Sequence, residues 1–117
     1  MTLDPAALLA ERTAAARAQE QALRAAIEAT QDARSLTFTD DEHDPEGSTA
    51  SLDQARDTAL LVQVTRTLAE LEAAQARLAA GTYGLCERCG RPIAEERLAA
   101  RPEARFCITC AARPGRP

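Results

Sequence analysis

The chain contains Cys86-Glu87-Arg88-Cys89 and Cys107-Ile108-Thr109-Cys110, two C-x2-C pairs separated by residues 90–106. Two pairs at this spacing are typical of one tetrahedral zinc site, because each pair directs two thiolates toward a point about 2.3 Å from each sulfur. Four thiolates also fill the coordination sphere, whereas catalytic zinc keeps one position open. We therefore predict one structural zinc ion, bound by Cys86, Cys89, Cys107 and Cys110. We do not expect an enzyme, because nothing in the sequence pairs a nucleophile with a base.

Disulfides, a redox C-x-x-C pair and an iron–sulfur cluster are the alternative uses of four cysteines. Residues 1–20 contain no apolar signal core, which disfavours secretion and disulfides and leads us to expect a cytoplasmic protein. No apolar run approaches the roughly 20 residues that cross a membrane. A redox pair usually lies at a strand-to-helix junction of a βαβ unit, and the sequence indicates no such unit.

Residues 81–112 form the predicted zinc finger. This segment offers few large apolar side chains, and segments this short usually need a metal ion or another staple to fold. Zinc binding supplies on the order of 10 kcal/mol to such a module. Pro92 is expected to open a short helix through Leu98, because proline suits the first helical turn. Residues 113–117 are expected to be a flexible tail.

Residues 1–80 predict two long helices. Asp4 and Pro5 suit the start of the first helix, which runs to about Arg34 without a further proline or glycine. Ser51 and Gln54 match a capping box at the start of the second helix, and Gly81 suits its end. Apolar stripes follow spacings of three, four and seven residues: Leu9, Ala16, Leu23, Ile27 and Thr30 in the first helix, and Leu61, Val64, Leu68, Leu71, Gln75 and Leu78 in the second.

The predicted fold is mainly α: an antiparallel two-helix coiled-coil hairpin over residues 1–80, followed by a small four-cysteine zinc finger at 81–112. The alternative is one half of a larger helical bundle formed by dimerisation. A monomer is favoured over a dimer.

An acidic loop at about residues 35–50 is predicted to join the two helices. Five carboxylates fall within residues 40–46, and Pro45 and Gly47 indicate a turn. A charge run of this kind is usually a solvated connector. Its place at the end of a long arm also suits delivery of negative charge into a partner's cavity. The charge is polarised, because residues 1–80 carry seven Arg against fourteen Asp and Glu, whereas residues 81–117 carry seven Arg against four Glu.

Residues 82–110 resemble the DksA/TraR family. The resemblance lies in Thr82-Tyr83-Gly84-Leu85-Cys86-Glu87-Arg88-Cys89-Gly90-Arg91-Pro92-Ile93, in Glu96-Arg97-Leu98, in Ala100-Arg101-Pro102 and in the second cysteine pair. It implies a cytoplasmic, bacterial transcription regulator that binds RNA polymerase rather than DNA. In that family the coiled coil enters the secondary channel of the polymerase, places acidic tip residues near the active site and often acts with the alarmone ppGpp.

The resemblance implies an acidic tip in this loop, and we expect the carboxylates of Asp41, Asp44 and Glu46 to act there. The family's tip pattern is D-x-x-D-x-A; Asp41 and Asp44 keep this interval, and Glu46 stands where the alanine would be. Alignment of Asp44 with the first aspartate instead places Gly47 where the second would be. Two other functions are consistent with the sequence patterns when the family resemblance is left aside. One is a zinc-stabilised coiled-coil adaptor or dimerisation module without direct transcription activity. The other is a weak nucleic-acid-binding finger that uses Arg88, Arg91, Arg97 and Arg105.

Overall fold

The computed structural model describes residues 4–36 and 45–113. Across these two ranges the chain forms four helices, α1 (Pro5–Leu36), α2 (Pro45–Ala80), α3 (Glu95–Ala100) and α4 (Ile108–Ala112). The same ranges contain no β-strand and a single isolated antiparallel bridge, between Leu85 and Pro92. The predicted fold class, a helical hairpin followed by a four-cysteine finger, is confirmed. None of the helices in the described residues is both long enough and apolar enough to cross a bilayer.

Helix α1 begins where the sequence predicts. The Asp4 carboxylate accepts a hydrogen bond from the Ala7 backbone N–H at 3.4 Å, which satisfies one of the free donors of the first turn. Pro5 occupies the first helical position, where its missing N–H costs nothing. The predicted stripe of α1 faces inward: Leu9 and Ala16 are buried, and Leu23, Ile27 and Thr30 are half-buried.

Helix α2 begins at Pro45, and the start predicted at Ser51 is wrong. Each residue added to an existing helix gains one backbone hydrogen bond, so a helix formed downstream extends through Ser51 until it reaches a stronger boundary. Pro45 is such a boundary, because it lacks the N–H that a preceding turn needs. The predicted loop of about residues 35–50 therefore overlaps both helices.

The inward stripe of α2 follows the predicted heptads. Val64, Leu68 and Leu71 are buried, with 5%, 8% and 1% of their surface exposed, and Leu61, Gln75 and Leu78 are half-buried. The helix ends in a Schellman motif at Gly81, whose φ is +83°. The Gly81 N–H donates to the Leu78 carbonyl at 3.2 Å, and the Thr82 N–H donates to the Arg77 carbonyl at 2.9 Å.

The chain forms two compact units. One comprises Met1–Ala15 and Thr67–Pro117, and the other comprises Ala16–Arg66. In the first unit, the bases of both helices pack together with the finger. The buried Thr13 hydroxyl donates to the Leu9 carbonyl at 2.7 Å and accepts a hydrogen bond from the Gln75 amide at 3.4 Å. This polar pair lies in an otherwise apolar seam, where such pairs fix the register of paired helices.

The finger differs from the prediction at its first helix. Helix α3 begins at Glu95 and not at Pro92. Pro92 instead pairs with Leu85 in the isolated bridge, and the Ile93 N–H donates to the Gly84 carbonyl at 2.7 Å. This pairing needs an extended backbone at residues 92–94, which excludes the helical conformation there.

Candidate metal centre

The first cysteine pair lies in a tight turn between the two bridged residues Leu85 and Pro92. The Cys86 N–H donates to the Arg91 carbonyl at 2.8 Å, and the Gly90 N–H returns to the Cys86 carbonyl at 2.9 Å. Gly90 adopts a φ of +76°, a left-handed conformation that glycine reaches without steric cost. The turn brings the side chains of Cys86 and Cys89 together.

The second cysteine pair lies at the start of α4. Cys107 is the residue before the helix, and its Sγ accepts a hydrogen bond from the Cys110 backbone N–H at 3.5 Å. The Ala111 N–H donates to the Cys107 carbonyl at 2.8 Å, which closes the first turn of the helix. Cys110 follows three residues later, so both thiols lie on one side of this turn.

The two turns bring all four sulfurs to one place. The Sγ atoms of Cys86, Cys89, Cys107 and Cys110 lie within 4.8 Å of one another, and residues 4–36 and 45–113 offer this one group of potential metal ligands. Tetrahedral zinc with sulfur ligands at about 2.3 Å requires sulfur–sulfur distances of about 3.8 Å. The Sγ atoms of Cys89 and Cys107 are 3.9 Å apart. Donor type, number and spacing therefore fit zinc.

The thiols differ in their tendency to ionise when no metal is bound. Burial opposes ionisation of Cys86, but hydrogen bonds from backbone N–H groups, foremost that of Cys107, lower its pKa to about 6. Burial, followed by hydrogen bonds with the other three thiols, raises the pKa of Cys110 to about 12. The cluster thus resists gathering four negative charges in one place. A divalent cation removes this resistance, so zinc binding is expected to release protons.

A small apolar core supports the sulfurs. It consists of the buried side chains of Cys86, Ile93, Leu98, Ala104 and Cys110, with Tyr83, Phe106 and Cys107 packed against it. The Tyr83 hydroxyl donates to the Pro102 carbonyl at 2.8 Å, and burial raises the pKa of Tyr83 above its ordinary value of 10.0. Cores with so few apolar groups usually need a metal ion or another crosslink to be stable.

A charged network joins the first cysteine pair to the base of α2. The carboxylate of Glu87 accepts two hydrogen bonds from the guanidinium of Arg105, at 3.0 and 3.3 Å. Arg77 Nη1 lies 3.7 Å from the same carboxylate. The hydrogen bonds from Arg105 outweigh the effect of burial and hold the pKa of Glu87 below its ordinary value. The sequence prediction did not include this network; its only sequence signals are a charge between the cysteines and an arginine in the last turn of α2.

The structure describes only part of the predicted tip residues. Asp41 and Asp44 lie outside the described residues. Glu46 lies in the first turn of α2, but its side chain is also outside them. The tip role of these three residues stays a prediction.

Comparison with known proteins relates both parts of the chain to one family. Residues 81–114 match the prokaryotic dksA/traR C4-type zinc finger. A protein of Aquifex aeolicus (strain VF5), described as uncharacterized, is 51% identical over 45 residues, which are 38% of this chain and 31% of that protein; the match thus spans about a third of that relative.

A solved structure matches nearly the whole chain. It is the transcription factor DksA2 from Pseudomonas aeruginosa, which is 31% identical with a TM-score of 0.55, over 90% of this chain and 81% of that one. The clustered cysteines and the matched finger support one structural zinc ion in this protein. The chain belongs to the DksA/TraR family of transcription factors with a C4-type zinc finger.

Proposed function

We propose that this protein binds RNA polymerase and regulates transcription initiation by inserting its acid-tipped coiled coil into the secondary channel. The observation that carries the proposal is the match of 90% of the chain, hairpin and finger together, to a DksA transcription factor. A match of the finger alone would support zinc binding and say nothing about the hairpin. Such a role is regulatory and non-enzymatic, and it requires a cytoplasmic protein.

The proposed zinc ligands are the thiolates of Cys86, Cys89, Cys107 and Cys110. The ion supplies charge neutralisation and a rigid crosslink between two turns that are separated by residues 90–106. The protein supplies the hydrogen bonds that stabilise the thiolates, including the one from the Cys110 N–H to the Cys107 sulfur. The site has no catalytic part in this proposal.

The proposed effectors of transcription are the carboxylates of Asp41, Asp44 and Glu46, which would act on the field around a metal ion or a basic loop near the polymerase active site. Charges interact strongly in a narrow cavity from which water is largely excluded, whereas the same carboxylates in free solution are screened. The alarmone ppGpp is a candidate co-regulator under this proposal, because the family resemblance implies it.

Two observations disfavour the alternative functions. Of the four arginines considered for nucleic-acid binding, Arg97 donates to the Phe106 carbonyl at 2.9 Å and Arg105 is paired with Glu87. A dimer zipper along α2 would use its inward leucines, but Leu68 and Leu71 are already buried within the chain. These four side chains therefore serve the fold of the single chain.

The proposal is tested by polymerase binding and transcription assays with matched charge-reversal variants. The test variant is D41K/D44K/E46K. The control variant E11K/E28K/D53K makes the same change in net charge at exposed helical positions. We expect the test variant to bind polymerase and to lose the effect on initiation, whereas the control keeps both. Absence of binding by the unaltered, zinc-loaded protein would overturn the proposal, and equal effects of the two variants would overturn the tip role.

A further inference from the structure

The linker, which we define as residues 99–106, accepts hydrogen bonds at most of its backbone carbonyls. It joins the end of α3 to the second cysteine pair and ends directly before Cys107. Six of its eight carbonyls accept hydrogen bonds from groups outside the linker, namely those of Ala99, Ala100, Pro102, Glu103, Arg105 and Phe106. Hydrogen bonds thus constrain six of the eight residues of the linker, of which residues 101–106 lie outside the helices.

Both long helices take part in this arrangement. From α1, Arg12 donates through Nη1 to the Ala100 carbonyl at 3.3 Å and through Nη2 to the Ala99 carbonyl at 3.4 Å. These are carbonyls at the C-terminus of α3, which carry partial negative charge and favour a cation. From α2, Arg77 Nη2 donates to the Glu103 carbonyl at 3.5 Å.

Arg77 also reaches the first cysteine pair. Its side chain is only 16% exposed, and its Nη1 lies 3.7 Å from the carboxylate of Glu87, which directly follows Cys86. Glu87 is tied back to the linker, because its N–H donates to the Arg105 carbonyl at 2.9 Å. Arg77 thus contacts both of the segments that the four sulfurs bring together.

We propose that Arg12 and Arg77 couple zinc occupancy to the order of the two helix bases, residues 5–15 and 67–80. The acceptors of both arginines lie in the two segments that directly adjoin the cysteine pairs, because the linker ends before Cys107 and Glu87 follows Cys86. When zinc leaves, these segments lose the crosslink that fixes them, and each helix base loses its contact with the finger. The finger is then a metal-dependent clamp on the hairpin. This inference does not depend on polymerase binding.

Amide hydrogen exchange measured by mass spectrometry on the full chain tests the proposal, with zinc content determined on the same samples. In the unaltered protein, chelation is expected to speed exchange in both helix bases by about tenfold. In R12A/R77A with one zinc still bound per chain, exchange in both helix bases is expected to be several-fold faster than in the unaltered protein. Chelation of the zinc is expected to speed exchange in this variant only slightly further. The control R24A/R66A removes two exposed arginines from the other compact unit and is expected to match the unaltered protein.

The single variant R12A tests one half of the clamp if the double variant loses its zinc. It removes the contacts to Ala99 and Ala100 and leaves the Glu87 network intact, so exchange is expected to rise in residues 5–15 and to stay unchanged in residues 67–80. The proposal is overturned if zinc-loaded R12A keeps full protection in residues 5–15. It is also overturned if zinc-loaded R12A/R77A responds to chelation as strongly as the unaltered protein.

Discussion

Replacement of Leu71 by alanine tests the packing of the helix bases. Leu71 is 1% exposed and sits on the inward stripe of α2. The substitution removes three buried carbons, which cost about 2.4 kcal/mol at about 0.8 kcal/mol each. The cavity left behind adds to this loss, so we expect L71A to lower the free energy of unfolding by about 3 kcal/mol. Small domains have about 5–15 kcal/mol in total, so this is a large fraction.

The assay is urea unfolding of the zinc-saturated protein, followed by circular dichroism. The matched control is L52A, because Leu52 lies on the same helix, is 72% exposed and undergoes the same chemical change. Alanine favours helix slightly more than leucine does, so neither substitution weakens α2 through propensity. L52A is expected to change the free energy of unfolding by less than about 0.5 kcal/mol. Equal, small effects of the two substitutions would refute the inferred burial of Leu71.

Three further predictions concern the finger and its junction with α2. Tyr83 is the only tyrosine of the chain, and its raised pKa predicts a phenolate absorbance midpoint above 10.0. Its contribution to stability is therefore complete below pH 10 and is lost as pH rises through the folded pKa; a midpoint at or below 10 contradicts its burial. Zinc binding at pH 7 is expected to release at least the Cys110 proton, because the pKa of that thiol is raised to about 12 without metal. The affinity for zinc is therefore expected to fall as the pH is lowered. Calorimetry in buffers of different ionisation enthalpy measures the number of protons released on zinc binding, and a value of zero would contradict the prediction. G81A is expected to lower the free energy of unfolding by about 1 kcal/mol, because residue 81 has a φ of +83° that alanine rarely adopts. Steric clash adds nothing, since an added Cβ meets no atom within 4 Å. An unchanged melting temperature would contradict this prediction.

Local and periodic signals predicted much of this structure. The spacing of Cys86, Cys89, Cys107 and Cys110 predicted the cluster, because two short turns suffice to bring each pair to a common point. The heptad pattern around Leu68 and Leu71 predicted the inward face of α2, since helical geometry alone decides which residues share a face.

Features that depend on competition or on distant contacts were not predicted. Ser51 carries a valid capping signal, but extension of α2 to Pro45 prevails over it. Pro92 suits a helix start, but pairing with Leu85 holds it extended. The contacts of Arg12 and Arg77 join residues far apart in the sequence, and nothing in the local sequence of an arginine identifies the carbonyl to which it donates.

X-ray absorption spectroscopy at the zinc edge of the purified, unaltered protein tests whether four thiolates hold one structural zinc ion. With one zinc per chain, we predict four sulfur neighbours at about 2.3 Å and no nitrogen or oxygen ligand. A folded protein without zinc, or a zinc ion with fewer than four sulfur ligands, would contradict it.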